Sequence, residues 1–182
     1  LRGDPPKDRP VPPRARDFRY ASDLVRFARE REGSQSRRGL RIAVAAYPET
    51  HPEAVSPDDD LARFAVKAAQ ADWAITQLFF DSKDYFAFVR RARAAGVSLP
   101  IVPGLMPVTG YAQLKRFVAL CGAKIPPELE ARIEAAPDPE AVIREGIDWA
   151  SRQCRELLDG GAPGIHFYTL NRSRSTREIL AP

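Results

Sequence analysis

Histidine and cysteine are scarce in this 182-residue chain, with two of each, and there is a single methionine. His51 and His166 have no cysteine or carboxylate at ligand spacing, which excludes the usual zinc sites and leaves no metal set. Cys121 and Cys154 are far apart and form no CxxC pair, so reduced thiols in a cytoplasmic protein are expected rather than a disulfide. No apolar run is long enough to span a bilayer, and nothing reads as a signal peptide, so no membrane partner is expected. No GxGxxG follows a strand, which argues against a dinucleotide site of the Rossmann type. No GxSxG or Ser-His-Asp arrangement is present. Charge of one sign is also lacking, with 28 Lys/Arg against 24 Asp/Glu. The basic excess sits in residues 1–41, twelve Lys/Arg to six Asp/Glu, without interleaved aromatics or a nucleic-acid motif. It reads as a solvated arginine-rich segment, and no nucleic-acid partner is expected.

What the chain does have is a repeated unit of short apolar run, polar loop and amphipathic helix. The stretch from Leu40 to Ala54 sets the pattern. Leu40 to Ala46 is short and apolar, as in a strand buried on both faces of a parallel sheet. Pro48 and Pro52 lack amide donors, so the strand should stop near Tyr47. The chain then leaves carrying Tyr47, Glu49 and His51 from a strand's C-terminal end, where parallel α/β folds bind ligands.

In order, Leu1 to Asp4 reads as a strand end, and Pro5 to Arg16 as an irregular loop. Ser22 opens a helix that Gly33 should end. Ser56 caps a second helix, with Pro57 first and Asp58, Asp59 and Asp60 on the positive end of its dipole. Trp73 to Phe80 is a strand, Ser82 caps the next helix, and Pro100 to Leu105 is a third strand. Helices follow over Tyr111 to Leu120, Ile125 to Ala135 and Asp138 to Leu158. Gly164 to Tyr168 is a fourth strand, and Thr176 to Leu180 opens a last helix. Four βα units after an orphan strand end predict a parallel sheet with right-handed crossovers. The expected fold is the second half of a (β/α)8 TIM barrel, from the end of strand 4 to helix 8, as one domain over residues 1–182 that begins inside a longer one.

Several residues could carry chemistry. Gln77 lies inside an apolar strand, where an amide needs partners. It is either a donor–acceptor pair for a flat ligand edge or a core amide bonded to a neighbouring strand. Lys67 could neutralise a phosphate or lay its stem along apolar surface. Asp60 is explained locally as a helix N-terminal acid. Asp4 after Gly3 could stabilise a cation, and His166 reads as a core residue.

The motifs LRGDPP, YASDL, AAYPETHPEA, AITQLFFD, PIVPGLMPV and HFYTLNR, in this order and spacing, closely resemble the methylenetetrahydrofolate reductase family. That resemblance implies FAD bound at the strand ends, with NADH or NADPH and the folate using the flavin in turn by a ping-pong hydride transfer that yields 5-methyltetrahydrofolate. It implies a place in one-carbon metabolism and methionine biosynthesis. Carried over by motif, flavin contacts fall on Arg2, Gly3, Asp4, Ala21, Tyr47, His51, Ala54, Asp60 and Lys67, with Asp4 as the catalytic aspartate. Gln77, Gln113, Phe117 and Arg172 fall on the substrate side. The family's general-acid glutamate falls in none of these motifs, and its KxxAGAD segment reads Lys67-Ala68-Ala69-Gln70-Ala71-Asp72, shorter and without the glycine. The alternative is a catalytically inactive half-barrel that self-associates, a homo-oligomer, or pairs with a partner chain.

Overall fold

The computed structural model describes residues 18–35 and 39–181. Its elements run α1 (Ala21–Gln35), β1 (Ala43–Ala46), α2 (Pro57–Ala68), β2 (Trp73–Leu78), α3 (Ser82–Ala94) and β3 (Ile101–Leu105). They continue with α4 (Tyr111–Cys121), α5 (Pro127–Glu134), α6 (Pro139–Asp159), β4 (His166–Phe167) and α7 (Arg174–Leu180). The four strands form one parallel sheet in the order β1-β2-β3-β4. The expected α/β alternation is therefore present. The expected strand end at Leu1 to Asp4, with Arg2, Gly3 and Asp4, lies outside the described residues.

Local chemistry sets the helix starts. Ser56 is extended and its Oγ accepts from the Asp59 N–H at 3.1 Å, with Pro57 next. Asp138 does the same for α6 through the Ala141 N–H at 2.7 Å. The α3 cap is Asp81, not Ser82: its carboxylate accepts from the Lys83 N–H, while the buried Ser82 hydroxyl bonds Glu156. At α1 the helix starts one residue before Ser22, and Asp23 reaches back to the Tyr20 N–H, the return half of a capping box. That helix also runs past Gly33 to Gln35, since one glycine costs only about 1 kcal/mol.

The core lies on one face of the sheet. Val44, Ala46, Ala74 and Ile101 pack there against Phe64, Phe88 and Leu157 from the helices. A second cluster (Leu78, Phe80, Met106, Leu114, Leu129, Ile133) sits past the strands' C-terminal ends, where α4 and α5 contribute. The opposite face stays partly open: Ala43 and Ala45 are exposed, and their register partners Trp73 and Ile75 are half-buried. The prediction of a first strand buried on both faces over Leu40 to Ala46 is thus corrected. Asp72 explains the late start, because its N–H and carboxylate already occupy the Ile42 carbonyl and N–H.

β2 ends at Leu78, not Phe80, for a related reason. Two α6 side chains one turn apart take over the next carbonyls: Gln153 Nε2 donates to Phe79 O at 3.1 Å and Trp149 Nε1 to Phe80 O at 3.0 Å. Pro103 is tolerated inside β3 because its missing donor points toward β4, which pairs only from Gly104 onward. The fourth strand is likewise shorter than Gly164 to Tyr168, and α7 starts at Arg174, not Thr176.

Candidate active site

The register between β2 and β3 slips beyond Ile75, so that Leu78 rather than Thr76 aligns with Gly104. A bulge strands backbone groups that must find other partners. Here side chains supply them. Thr76 Oγ1 accepts from the Gly104 N–H at 2.8 Å, Gln77 Oε1 accepts from its own Leu78 N–H at 2.9 Å, and the Tyr168 hydroxyl donates to Thr76 O at 2.7 Å. Tyr168 reaches that carbonyl only by crossing Gly104. A Cβ there would sit 2.3 Å from Thr76 O and 2.7 Å from the Tyr168 ring. The bulge turns the strand ends and leaves Gln77 half-buried, its oxygen engaged and its NH2 in reach of Tyr47. Gln77 is therefore not bonded to a neighbouring strand.

Around Gln77 the chain gathers one continuous group. Tyr47 and His51 meet ring to ring, with centroids 4.5 Å apart and edge-on. Burial pushes the Tyr47 phenol up, against the hydrogen bond from Gln77, which favours the ionised form. The His51 N–H donates to the Asp60 carboxylate at 2.9 Å, and the Ala54 N–H donates to His51 O. Asp60 is thus more than a helix acid: it ties the loop to α2. Lys67 donates to Ala45 O at 3.0 Å; burial pulls its ammonium down, and the Asp60 charge opposes this. Ala21 is exposed, at the first residue of α1.

A second group adjoins the first through Tyr168, whose phenol is raised by burial and then by the nearby Tyr47. Tyr168 lines a cleft with Met106, Thr109, Gln113, Arg172 and Ser175. The Thr109 hydroxyl and Gln113 Oε1 are 2.7 Å apart, which fixes the amide's orientation. Phe117, one turn beyond Gln113, packs part of its ring on the second core cluster and is only half-buried. His166 contradicts the core reading: it meets Tyr168 edge-on at 4.8 Å, while its neighbours Ile165 and Phe167 pack on the helix side. Alternation in a strand puts His166 on the open face.

Sequence reasoning missed Thr76, and it offered Tyr168 only as a residue at the end of the fourth strand, not as one that shapes this end of the sheet. A threonine inside an apolar strand was the available signal for Thr76, and the register slip that gives Tyr168 its partner leaves no local pattern. Among the described residues no cluster of three or more His, Cys, Asp or Glu could hold a metal, and no helix is long and apolar enough to cross a membrane. Cys121 and Cys154 are both free thiols.

Parallel strands with polar and aromatic side chains collected at their C-terminal ends define an α/β ligand-binding domain. Residues 1–182 match the family profile of methylenetetrahydrofolate reductase, and the chain belongs to that family. It is 40% identical over 183 residues to a probable methylenetetrahydrofolate reductase (NADPH) of Caenorhabditis elegans, covering 99% of this chain and 27% of the relative. It is 39% identical to methylenetetrahydrofolate reductase (NADH) 1 of Arabidopsis thaliana, over 99% of this chain and 32% of that one. With the 5,10-methylenetetrahydrofolate reductase of Pectobacterium carotovorum the identity is 38%, over 98% and 57%. The chain thus spans about a third or less of the first two and just over half of the third. A solved protein of Clostridium thermocellum that binds two copies of 5-methyl-5,6,7,8-tetrahydrofolic acid shares the fold, with TM-score 0.60 over 88% of this chain and 56% of that one, at 18% identity.

Proposed function

We propose that this chain forms part of a flavin-dependent methylenetetrahydrofolate reductase, and that its sheet is half of a (β/α)8 barrel whose lumen is the partly open face. One observation supports this reading above the others: the Tyr47–His51–Gln77 group and the Gln113–Arg172 cleft adjoin at the same ends of parallel strands. The donor set suits FAD, a flat ring with amide-like edges and a pyrophosphate. Tyr47 and His51 offer aromatic edges, Gln77 an NH2, and Lys67 and Arg2 positive charge, with Gly3, Asp4, Ala21, Ala54 and Asp60 completing the flavin side. When bound, FAD supplies the hydride relay between NADH or NADPH and the methylene carbon of the folate. Gln77 then holds the pterin edge, Gln113 and Phe117 flank the ligand, and the Arg172 guanidinium meets the folate carboxylate. Asp4 stabilises positive charge on the substrate. Burial around Tyr47 and Tyr168 excludes water from that side of the site.

Titration with FAD, followed by its fluorescence and by bleaching with NADH and NADPH, tests the reading. Saturable binding is expected, and Gln77→Ala should lower the rate of folate reduction about tenfold while flavin stays bound, the loss of one hydrogen bond. No flavin binding, or an unchanged rate in Gln77→Ala, overturns the assignment. The open face and the free edge of β1 favour a second reading, a self-associating half-barrel without catalysis, which predicts a concentration-dependent oligomer that ignores flavin.

A further inference from the structure

The loop between β1 and α2 carries Tyr47 and His51, and it is held in a conformation it would not choose. Thr50 has φ 97°, a positive value that a β-branched residue adopts only under external constraint. Three anchors surround it. The His51 N–H is bound to Asp60 in α2. The Lys124 N–H, 75 residues along the chain, donates to the Glu49 carboxylate at 2.9 Å. Pro52 lies against Gly122, which at φ 73° ends α4; a Cβ there would come within 3.0 Å of the proline ring. One of these anchors meets Gly122, the C-cap of α4, and another meets Lys124, two residues further on, and the helix itself bears Gln113 and Phe117.

We infer that Glu49 is a positioning residue that latches the aromatic loop to α4, so that the Tyr47–His51 side and the Gln113 side of the site move as one body. The inference rests on the reading proposed above for those two sides. Glu49 is half-buried, and burial raises its carboxyl while the Lys124 N–H lowers it. The charges that act on it are Asp84 and Asp81 at the start of α3 and Lys124 between α4 and α5, with the Cys121 thiol also close. Two acids beside a carboxylate disfavour it, so a single N–H bond retained there points to a geometric task.

Amide hydrogen exchange on the full chain tests the latch at residues 47–54 and 111–124. Glu49→Ala is expected to speed exchange about tenfold at Lys124, across residues 49–51 and in the last turn of α4, the effect of losing one hydrogen bond to a charged group. Glu49→Gln, whose amide oxygen can accept the same N–H, is expected to stay near the wild-type pattern. Should the alanine variant not fold, Glu49→Asp, one methylene short of Lys124, gives the same readout. Unchanged exchange in Glu49→Ala, or in Glu49→Asp where it replaces it, overturns the latch, and faster exchange confined to residues 49–51 overturns the coupling to α4. Neither measurement needs flavin or turnover. A chain that binds no FAD but shows the exchange change therefore refutes the reductase reading alone, and one that binds FAD with exchange unchanged refutes the latch alone.

Discussion

Individual atoms decide the shape of the site. At the β2–β3 slip, the Thr76 carbonyl, the Gly104 N–H and the Leu78 N–H are each satisfied by a side chain, and each of those side chains has one geometry in which it works. Gly104 is the residue that permits it, through close approach rather than an unusual φ. Gly104→Ala must push Tyr168 off the fully buried Thr76 or move β3. We expect a loss of about 2 kcal/mol, in the range for overpacking plus a buried carbonyl left without its donor, read as a lowered midpoint in urea. An unchanged midpoint would show that the bulge relaxes freely. Gln77 could be singled out from sequence because an amide in an apolar run is conspicuous. Its bond to its own neighbour's N–H could not, because it depends on a register set by a strand 26 residues away.

At the scale of elements, Asp72 joins three pieces. It precedes β2, accepts from the Ile42 N–H beside β1 at 2.7 Å, and accepts from Arg29 of α1 at 2.8 Å, with Arg41 at 3.3 Å. The Ile42 N–H first, then Arg29, holds its carboxyl below the usual aspartate value. A carboxyl depressed in the folded state contributes stability above its unfolded pKa and loses it as the pH falls through the folded one. Stability should therefore drop on acidification below about pH 4, the ordinary aspartate range. Asp72→Asn should flatten that part of the profile, and thermal unfolding at pH 2.5 to 7 checks it; parallel profiles for the two proteins would refute the assignment. The same joint explains what sequence could and could not give for the fold. Ser56 was legible as a cap because a cap is a local bond three residues long, and the start of α6 was legible to within one residue, with Asp138 proving to be its cap. The start of β1 and the end of β2 were not, because Asp72, Gln153 and Trp149 claim the backbone there from distant positions.

At the scale of the whole molecule, no strand among the described residues pairs with the outer side of β1. Ile42 spends its backbone groups on Asp72, so alternation turns the amide and carbonyl of Ala43 and Ala45 outward. Lys67, from the helix that follows β1, donates to Ala45 O and so places a positive charge across that edge. Lysine at an edge opposes strand addition, because pairing must displace or bury its charge. Two outward residues offer four hydrogen-bonding groups, of which Lys67 holds one, and the other three at about 1 kcal/mol each support a Kd of about 6 mM. Lys67→Ala frees the carbonyl and removes the charge, so it should tighten self-association about fivefold, to a Kd near 1 mM, one further hydrogen bond of this size. Lys67→Arg should leave association as in wild type. Sedimentation velocity without flavin, over about 0.1 to 3 mM to bracket the variant's Kd, reads the difference. If Lys67→Ala sediments like the unsubstituted chain, the edge is guarded by something other than this lysine, and its contact with Ala45 is then incidental to a role on the flavin side.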